Sequence, residues 1–204
     1  MAHSKKYSET KTHIVDVARK LFAQYGKNAV TMNDIATQSG KGRRTLYTYF
    51  RNKDEIYLAI IQTELELIIE RLSEVTIMNI NAKEKLELYI RTRFDAIKEV
   101  VTRNGSLKAV FFRSVYEVEK ARRRIDIREI RMLRTIFHEG LDQGVFELYD
   151  PDWQAIIFLY GLRGLEPAYM NTNIGSKLQE NFSKAMDAIF HGICKNCDTP
   201  HLEG

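Results

Sequence analysis

Residues 31–50 read TMNDIATQSGKGRRTLYTYF, and this stretch decides the fold. Thr31 stands three positions before Asp34, a hydroxyl followed by an acid at the spacing that caps a helix N-terminus. The short helix so begun carries Ile35 and Ala36 and is broken by Ser39-Gly40. A second short helix is expected from about Gly42 to Phe50. Upstream, Ile14, Val17, Ala18, Leu21 and Phe22 recur at i, i+3, i+4, i+7 and i+8, one apolar stripe on a helix of about residues 9–25. Gly26 sits where a left-handed C-cap belongs. Two short helices joined by a tight glycine-containing turn, behind a longer helix with an apolar stripe, make a helix-turn-helix. Ile35, Ala36, Leu46 and Phe50 would share its small core with Leu21 and Phe22.

With that core assigned, the second short helix projects Arg43, Arg44, Thr45, Tyr47, Thr48 and Tyr49 the other way. From Lys41 through Lys53 there are five bases and no acid. Arginine can bind guanine O6 and N7 bidentately, and threonine can meet a base edge or a thymine methyl. Tyrosine hydroxyls and lysine ammonium groups hold phosphates. The plainer alternative is a helical hairpin with a solvated basic face. Tyr47 and Tyr49 count against it, because two residues apart on a helix they cannot both point at one core. Residues 1–55 hold 11 Lys and Arg against 5 Asp and Glu, a net of +6, although the whole chain carries only +4. The remaining residues hold 20 bases and 22 acids. A basic head on a near-neutral body suits a nucleic-acid-binding head with a trunk employed otherwise.

The rest of the chain is also helical. Asn52 can cap a helix over about residues 53–78, with Asp54 and Glu55 in its first turn. Further helices are expected from Ala82 to about Arg103, from Leu107 to about Glu119, from Lys120 to about Leu141, from Pro151 to about Met170, and from Ser176 to His191. In the basic segment Ile130, Leu133, Phe137 and Leu141 make the inner face, and Lys120, Arg122, Arg123, Arg124, Arg128, Arg131 and Arg134 read as a solvated face, with a pocket for an anionic effector as the less favoured alternative. No alternating run argues a strand, so the fold class is all-α. The 204 residues are 44% hydrophobic with 3 Pro and 11 Gly, which excludes a disordered or collagenous chain. Two cysteines exclude a disulfide scaffold. No apolar run approaches the ~20 residues that span a bilayer, and the first ten residues have no signal-peptide character. The expectation is a soluble cytoplasmic protein with no membrane partner. No Gly-rich phosphate loop, H-E-x-x-H or G-x-S-x-G is present, and the trunk carboxylates sit mostly at spacings that pair with Lys or Arg on solvated faces, so no enzyme and no cofactor are expected.

Phe22, Gly26, Thr31, Ile35-Ala36, Gly40, Thr45-Leu46-Tyr47-Thr48-Tyr49-Phe50 and Lys53 together resemble, in unbroken register, the DNA-binding head of TetR-type (TetR/AcrR) bacterial transcriptional regulators. The resemblance covers residues from about 10 to 57; beyond them only the helical layout and length are similar. It implies a three-helix head over residues 1–53, continuous with a helical effector-binding and dimerisation domain over 54–204, about nine helices in all. It implies that Arg43, Arg44 and Thr45 face base edges while Thr31, Tyr47, Tyr49 and Lys53 hold phosphates. Lys41 and Thr48 join the phosphate-facing set. Three positions depart from the family pattern: Lys41 replaces an apolar turn residue, Gly42 the usual capping Ser, and Arg44 a common Gly. These departures bear on which operator is read.

For the trunk, the resemblance implies a small-molecule cavity, with Tyr89, Phe94, Phe111, Phe112, Tyr116, Trp153, Phe158 and Tyr160 as candidate lining. It also implies a homodimer through the last two helices, here the faces bearing Ile157, Tyr160, Gly161 and Gly164, and Phe182, Met186 and Ile189. The expected function is a dimeric repressor that a small-molecule effector releases from a palindromic site on double-stranded DNA. Two other readings remain open. His191, Cys194, Cys197 and His201 form H-x2-C-x2-C-x3-H, a ligand set zinc accepts. A metal- or thiol-responsive sensor is therefore an alternative, although the four are compressed without the usual loop and a plain tail is the simpler reading. The other is a helical carrier of a small molecule that does not bind DNA.

Overall fold

In the computed structural model, residues 2–104, 116–169, 180 and 182–193 are described, with residues 2–6, 116–121, 168, 183 and 185 as backbone only. Among them are eight α-helices and no β-strand: α1 Ala2–Tyr25, α2 Met32–Gln38, α3 Arg43–Tyr49, α4 Lys53–Thr76, α5 Ala82–Arg103, α6 Tyr116–Asp142, α7 Pro151–Tyr169 and α8 Phe182–His191. The all-α class is as expected. None of the described helices is long and apolar enough to cross a membrane.

The helix boundaries follow the local chemistry. Asn52 Oδ1 accepts from the Glu55 amide at 2.9 Å at the start of α4. Asp150 Oδ1 accepts from the amides of Asp152 and Trp153 at 3.1 and 3.0 Å at the start of α7. Each satisfies amides that the first helical turn leaves unpaired. Two expected boundaries are corrected. The first helix starts at Ala2 rather than near residue 9, because no Gly or Pro interrupts residues 2–8 and Tyr7 and Lys11 have packing partners there. The expected break between Glu119 and Lys120 is absent, and Tyr116–Asp142 is one helix, since neither a cap nor a breaker stands at that point. The rest of the Leu107–Glu119 segment and residues 176–179 lie outside the described residues.

The chain divides into two compact units, residues 1–67 with 98–125 and residues 68–97 with 126–204. In the first, Ile14, Ala18 and Phe22 of α1, Ile35 and Ala36 of α2, and Leu46 and Phe50 around α3 are buried with Ile56, Ile60 and Ile61 of α4. Glu64 is buried among these apolar residues, with Arg103 as its ion-pair partner and Arg19 Nε 3.8 Å away. In the second, Leu72, Leu86, Tyr89, Ile90, Leu133, Ile136, Phe137, Ala155, Leu159 and Leu162 form the core. Gly140 lets the Phe146 ring lie on α6; a methyl group there would stand 1.9 Å from Phe146 Cδ2.

This second core also contains charge. Arg93 Nε donates to Glu129 Oε2 at 2.7 Å and its Nη2 to Glu166 Oε1 at 2.6 Å. The Tyr89 hydroxyl donates to Glu129 at 3.4 Å, and Arg163 donates to Asp126 Oδ2 at 2.6 Å. All of Arg93, Glu129, Glu166 and Asp126 are buried. Burial works against the Arg93 charge, but Glu129 and Glu166 outweigh it and hold the guanidinium above its ordinary range. Burial, followed by the Glu129 charge, raises the Tyr89 hydroxyl well above the usual tyrosine value. The expectation that trunk carboxylates sit on solvated faces is thus corrected for these residues. Glu129 falls in phase with Ile125, Leu133 and Ile136, so the helix turns it inward.

Removing one member of a buried pair leaves the other charged and unsatisfied. Glu129→Gln is expected to lower stability in urea unfolding by about 3–5 kcal/mol. Glu87→Gln, which breaks the exposed Arg91–Glu87 pair, should change it by less than about 0.5 kcal/mol. Equal effects would contradict the burial argument.

Candidate nucleic-acid interface

The head is assembled from the α2–α3 turn outward. Thr31 caps α2: its Oγ1 accepts from the Asp34 amide at 3.2 Å and donates to Asp34 Oδ2 at 2.8 Å, which also accepts from the Thr31 amide at 2.8 Å. That reciprocal box lowers the Asp34 pKa, first through the Thr31 backbone amide and then through its hydroxyl. At the other end, the amides of Gly40 and Lys41 donate to the carbonyls of Thr37 and Ala36 at 3.1 and 3.0 Å. This closure requires the left-handed conformation Gly40 adopts, φ 62°. His13 Nε2 of α1 lies 3.2 Å from the Ser39 carbonyl and fixes the turn from below.

The turn delivers α3 with Leu46 buried and Phe50 buried just after it. Gly42 provides no side-chain cap, as its identity implied. Arg43, Arg44, Thr45 and Thr48 are exposed, and Tyr47 is 46% exposed. Among the described residues neither Arg43 nor Arg44 has an acidic partner. Tyr49 is half-buried, its ring 4.5 Å from that of Tyr7.

The other residues expected at phosphates have different surroundings. Lys41 is half-buried beside the turn. The Thr48 hydroxyl donates to the Arg44 carbonyl at 3.0 Å, so its one proton is engaged within α3. Lys53 Nζ donates to the carbonyls of Lys27 and Asn28 at 2.8 and 3.3 Å, which ties the start of α4 to the turn after α1 and leaves one N–H. Nearby, Lys27 pairs with Asp54 and lies 4.6 Å from the Tyr57 ring centroid. Burial pushes the Tyr57 hydroxyl up to about 12. Tyr7 was missed in the sequence because α1 was expected to begin after it. The available signal was its phase: 7, 11, 14, 18 and 22 continue one stripe.

The trunk candidates do not come together in one place. Tyr89 is fully buried on the Arg93–Glu129 network. Phe94 stacks on Tyr169 at 4.7 Å and lines a small apolar recess with Leu162, Leu165, Phe182, Met186 and Ile189. Phe158 packs edge-on against Phe137 at 5.5 Å. Trp153 is exposed on α7 and does not line the recess. Phe111 and Phe112 lie outside the described residues, as does the Tyr116 side chain. Ile157, Tyr160, Gly161 and Gly164 form an exposed row along α7. Phe182, Met186 and Ile189 instead border the recess within their own unit. His191 ends α8, exposed; Cys194, Cys197 and His201 lie outside the described residues. Among the described residues no cluster of His, Cys, Asp and Glu could hold a metal.

Residues 14–60 match the model of the bacterial regulatory proteins of the tetR family. The family match falls on the head of the chain. It is 33% identical over 84 residues to the fatty acid metabolism regulator protein of Bacillus subtilis (strain 168), a match spanning 41% of this chain and 43% of that relative. The fold is similar to that of a transcriptional regulator from Cytophaga hutchinsonii, with a TM-score of 0.74 at 23% identity over 89% of this chain and 97% of that one. A Saccharomonospora viridis protein solved in complex with choline has a TM-score of 0.68 at 20% identity, covering 93% of this chain and all (100%) of that one. The matched TetR-family segment contains α2, α3 and the start of α4, the elements that hold the exposed arginines.

Proposed function

We propose that this protein is a dimeric transcriptional regulator of the TetR type, a repressor that leaves a palindromic operator when a small molecule binds its trunk. One observation carries the DNA reading. Leu46 and Phe50 bury one side of α3, and Arg43 and Arg44 stand on the other without acidic partners among the described residues. Unpaired guanidiniums on a rigid helix suit guanine edges in a major groove. In this reading Arg43, Arg44 and Thr45 read bases. Lys41, Tyr47, Tyr49 and the free N–H of Lys53 hold the backbone, and Thr31 and Thr48 approach it as they support their own helices. The protein works in the cytoplasm, where bacterial DNA lies.

The dimer is supported by the α7 row. Ile157 is 58% and Tyr160 54% exposed, and nothing lies within 4 Å of a methyl group placed at Gly161 or Gly164. A partner backbone could approach closely there. Two heads related by a two-fold axis would meet half-sites about 34–36 Å apart. An effector that binds better to the form unable to match that spacing would release the DNA. A shift of α4 is the proposed route. The complex with choline and the fatty-acid regulator name, both belonging to other proteins, support a small-molecule effector here. Phe94 and its apolar recess are the candidate seat.

Two outcomes test this. Lys41→Gln should weaken binding to every duplex alike and reduce the slope of log K against log salt by about one, whereas Arg44→Ala should relax discrimination at one base pair by about 1–3 kcal/mol. Titrations of labelled duplexes at several salt concentrations separate the two, and identical behaviour of both variants would contradict the assignment. Ile157→Glu with Tyr160→Glu should sediment as a monomer where the parent protein is a dimer. A variant that remains dimeric would remove α7 from the interface.

A further inference from the structure

We propose that Tyr7 is a positioning residue for DNA binding, holding Tyr49 and the C-terminal end of α3 in the orientation in which the helix meets DNA. The inference rests on the DNA-binding reading of the head and assigns a role to a part of α1 outside the expected helix-turn-helix.

The α1 stripe does not end where the head core ends. Ile14, Ala18 and Phe22 are buried, and one and two turns further towards the N-terminus the same face carries Lys11 and Tyr7. Both reach the end of α3. The Tyr7 and Tyr49 rings lie 4.5 Å apart, tilted by 32°, and Lys11 Nζ sits 5.7 Å from the centroid of Phe50. Helix α3 has seven residues and no side-chain cap. A helix that short has little stability of its own, so outside contacts set the direction of its last turn. Leu46 and Phe50 fix that turn from beneath, and Tyr7 adds a contact on the flank at Tyr49.

Tyr49 is half-buried while Tyr7 is 45% exposed. The stack therefore restricts the Tyr49 side chain without enclosing it, and the Tyr49 hydroxyl is pre-set for a phosphate instead of sampling several rotamers. Ordering a side chain before binding removes that entropy cost from the binding step. The work of Tyr7 is done by its ring, and its hydroxyl is dispensable. A residue touching phosphate itself would depend on the hydroxyl.

The test is a double-mutant cycle on the DNA flanking the protein's own gene, read by anisotropy of a labelled duplex. Tyr7→Ala should weaken binding roughly three- to tenfold, in keeping with the worth of an aromatic pair, and leave the salt slope unchanged because no charge is lost. Tyr7→Phe, which keeps the ring, should bind like the parent protein and guards against a folding artefact. In a Tyr49→Ala background, Tyr7→Ala should add nothing. A Tyr7→Phe loss as large as that of Tyr7→Ala overturns the inference in favour of direct contact, and full additivity with Tyr49→Ala overturns it as well. Parent protein that binds while Tyr7→Ala matches it removes this inference alone; parent protein that binds no duplex removes the DNA reading and this inference with it.

Discussion

A seven-residue helix with glycine at its N-cap does not hold its shape in water, so the head depends on the burial of Leu46 and Phe50. These two side chains, 0% and 3% exposed, join α3 to a core built by Ile14, Ala18 and Phe22 of α1 and Ile35 and Ala36 of α2. Around that core every closing interaction is local and inexpensive. Thr31 and Asp34 cap each other, Gly40 takes the left-handed turn, and His13 holds the Ser39 carbonyl. The result is a rigid outer face on which Arg43 and Arg44 are displayed.

Charge is placed in two different ways. Inside the trunk, Arg93 is paired twice at 2.6–2.7 Å and out of water, and the half-buried Arg163 pairs with Asp126 at 2.6 Å. Such pairs add little net stability, because desolvation offsets their attraction, but they penalise any packing that separates them. We take them as fixing the register of α5, α6 and α7, an assignment the Glu129 variant bears on directly. On the head, Arg43 and Arg44 remain solvated and, among the described residues, without acidic partners. Their charge is therefore available to an external anion, and the +6 of residues 1–55 has a physical location rather than being an average.

The head was largely legible because its signals are short-range. Thr31 before Asp34, Gly26 and Gly40 at turns, and an apolar residue at 46 between polar neighbours each act within one or two helical turns. The extension of α1 to Ala2 was not legible: Tyr7 has its partner at Tyr49, forty-two positions away, and a stripe broken by Lys11 looks polar until its contact is known. The trunk charges were read as solvated because sign and spacing alone suggest exposed pairs. Phase along the helix was the available clue, since Arg93, Glu129 and Glu166 each fall in step with buried apolar residues. Where Phe182 and Met186 sit depends on which neighbouring helix claims them, and periodicity within one helix does not encode that choice.

The most direct measurement is the affinity of the parent protein and of the combined Arg43→Ala, Arg44→Ala, Tyr47→Ala variant for the duplex flanking its own gene, with helicity checked by circular dichroism. All three side chains lie on the outer face of α3, so the fold should be retained. The expected result is salt-sensitive, sequence-selective binding by the parent protein and its loss in the folded variant. Unchanged affinity in the variant would contradict the assignment of α3 as the DNA-reading helix.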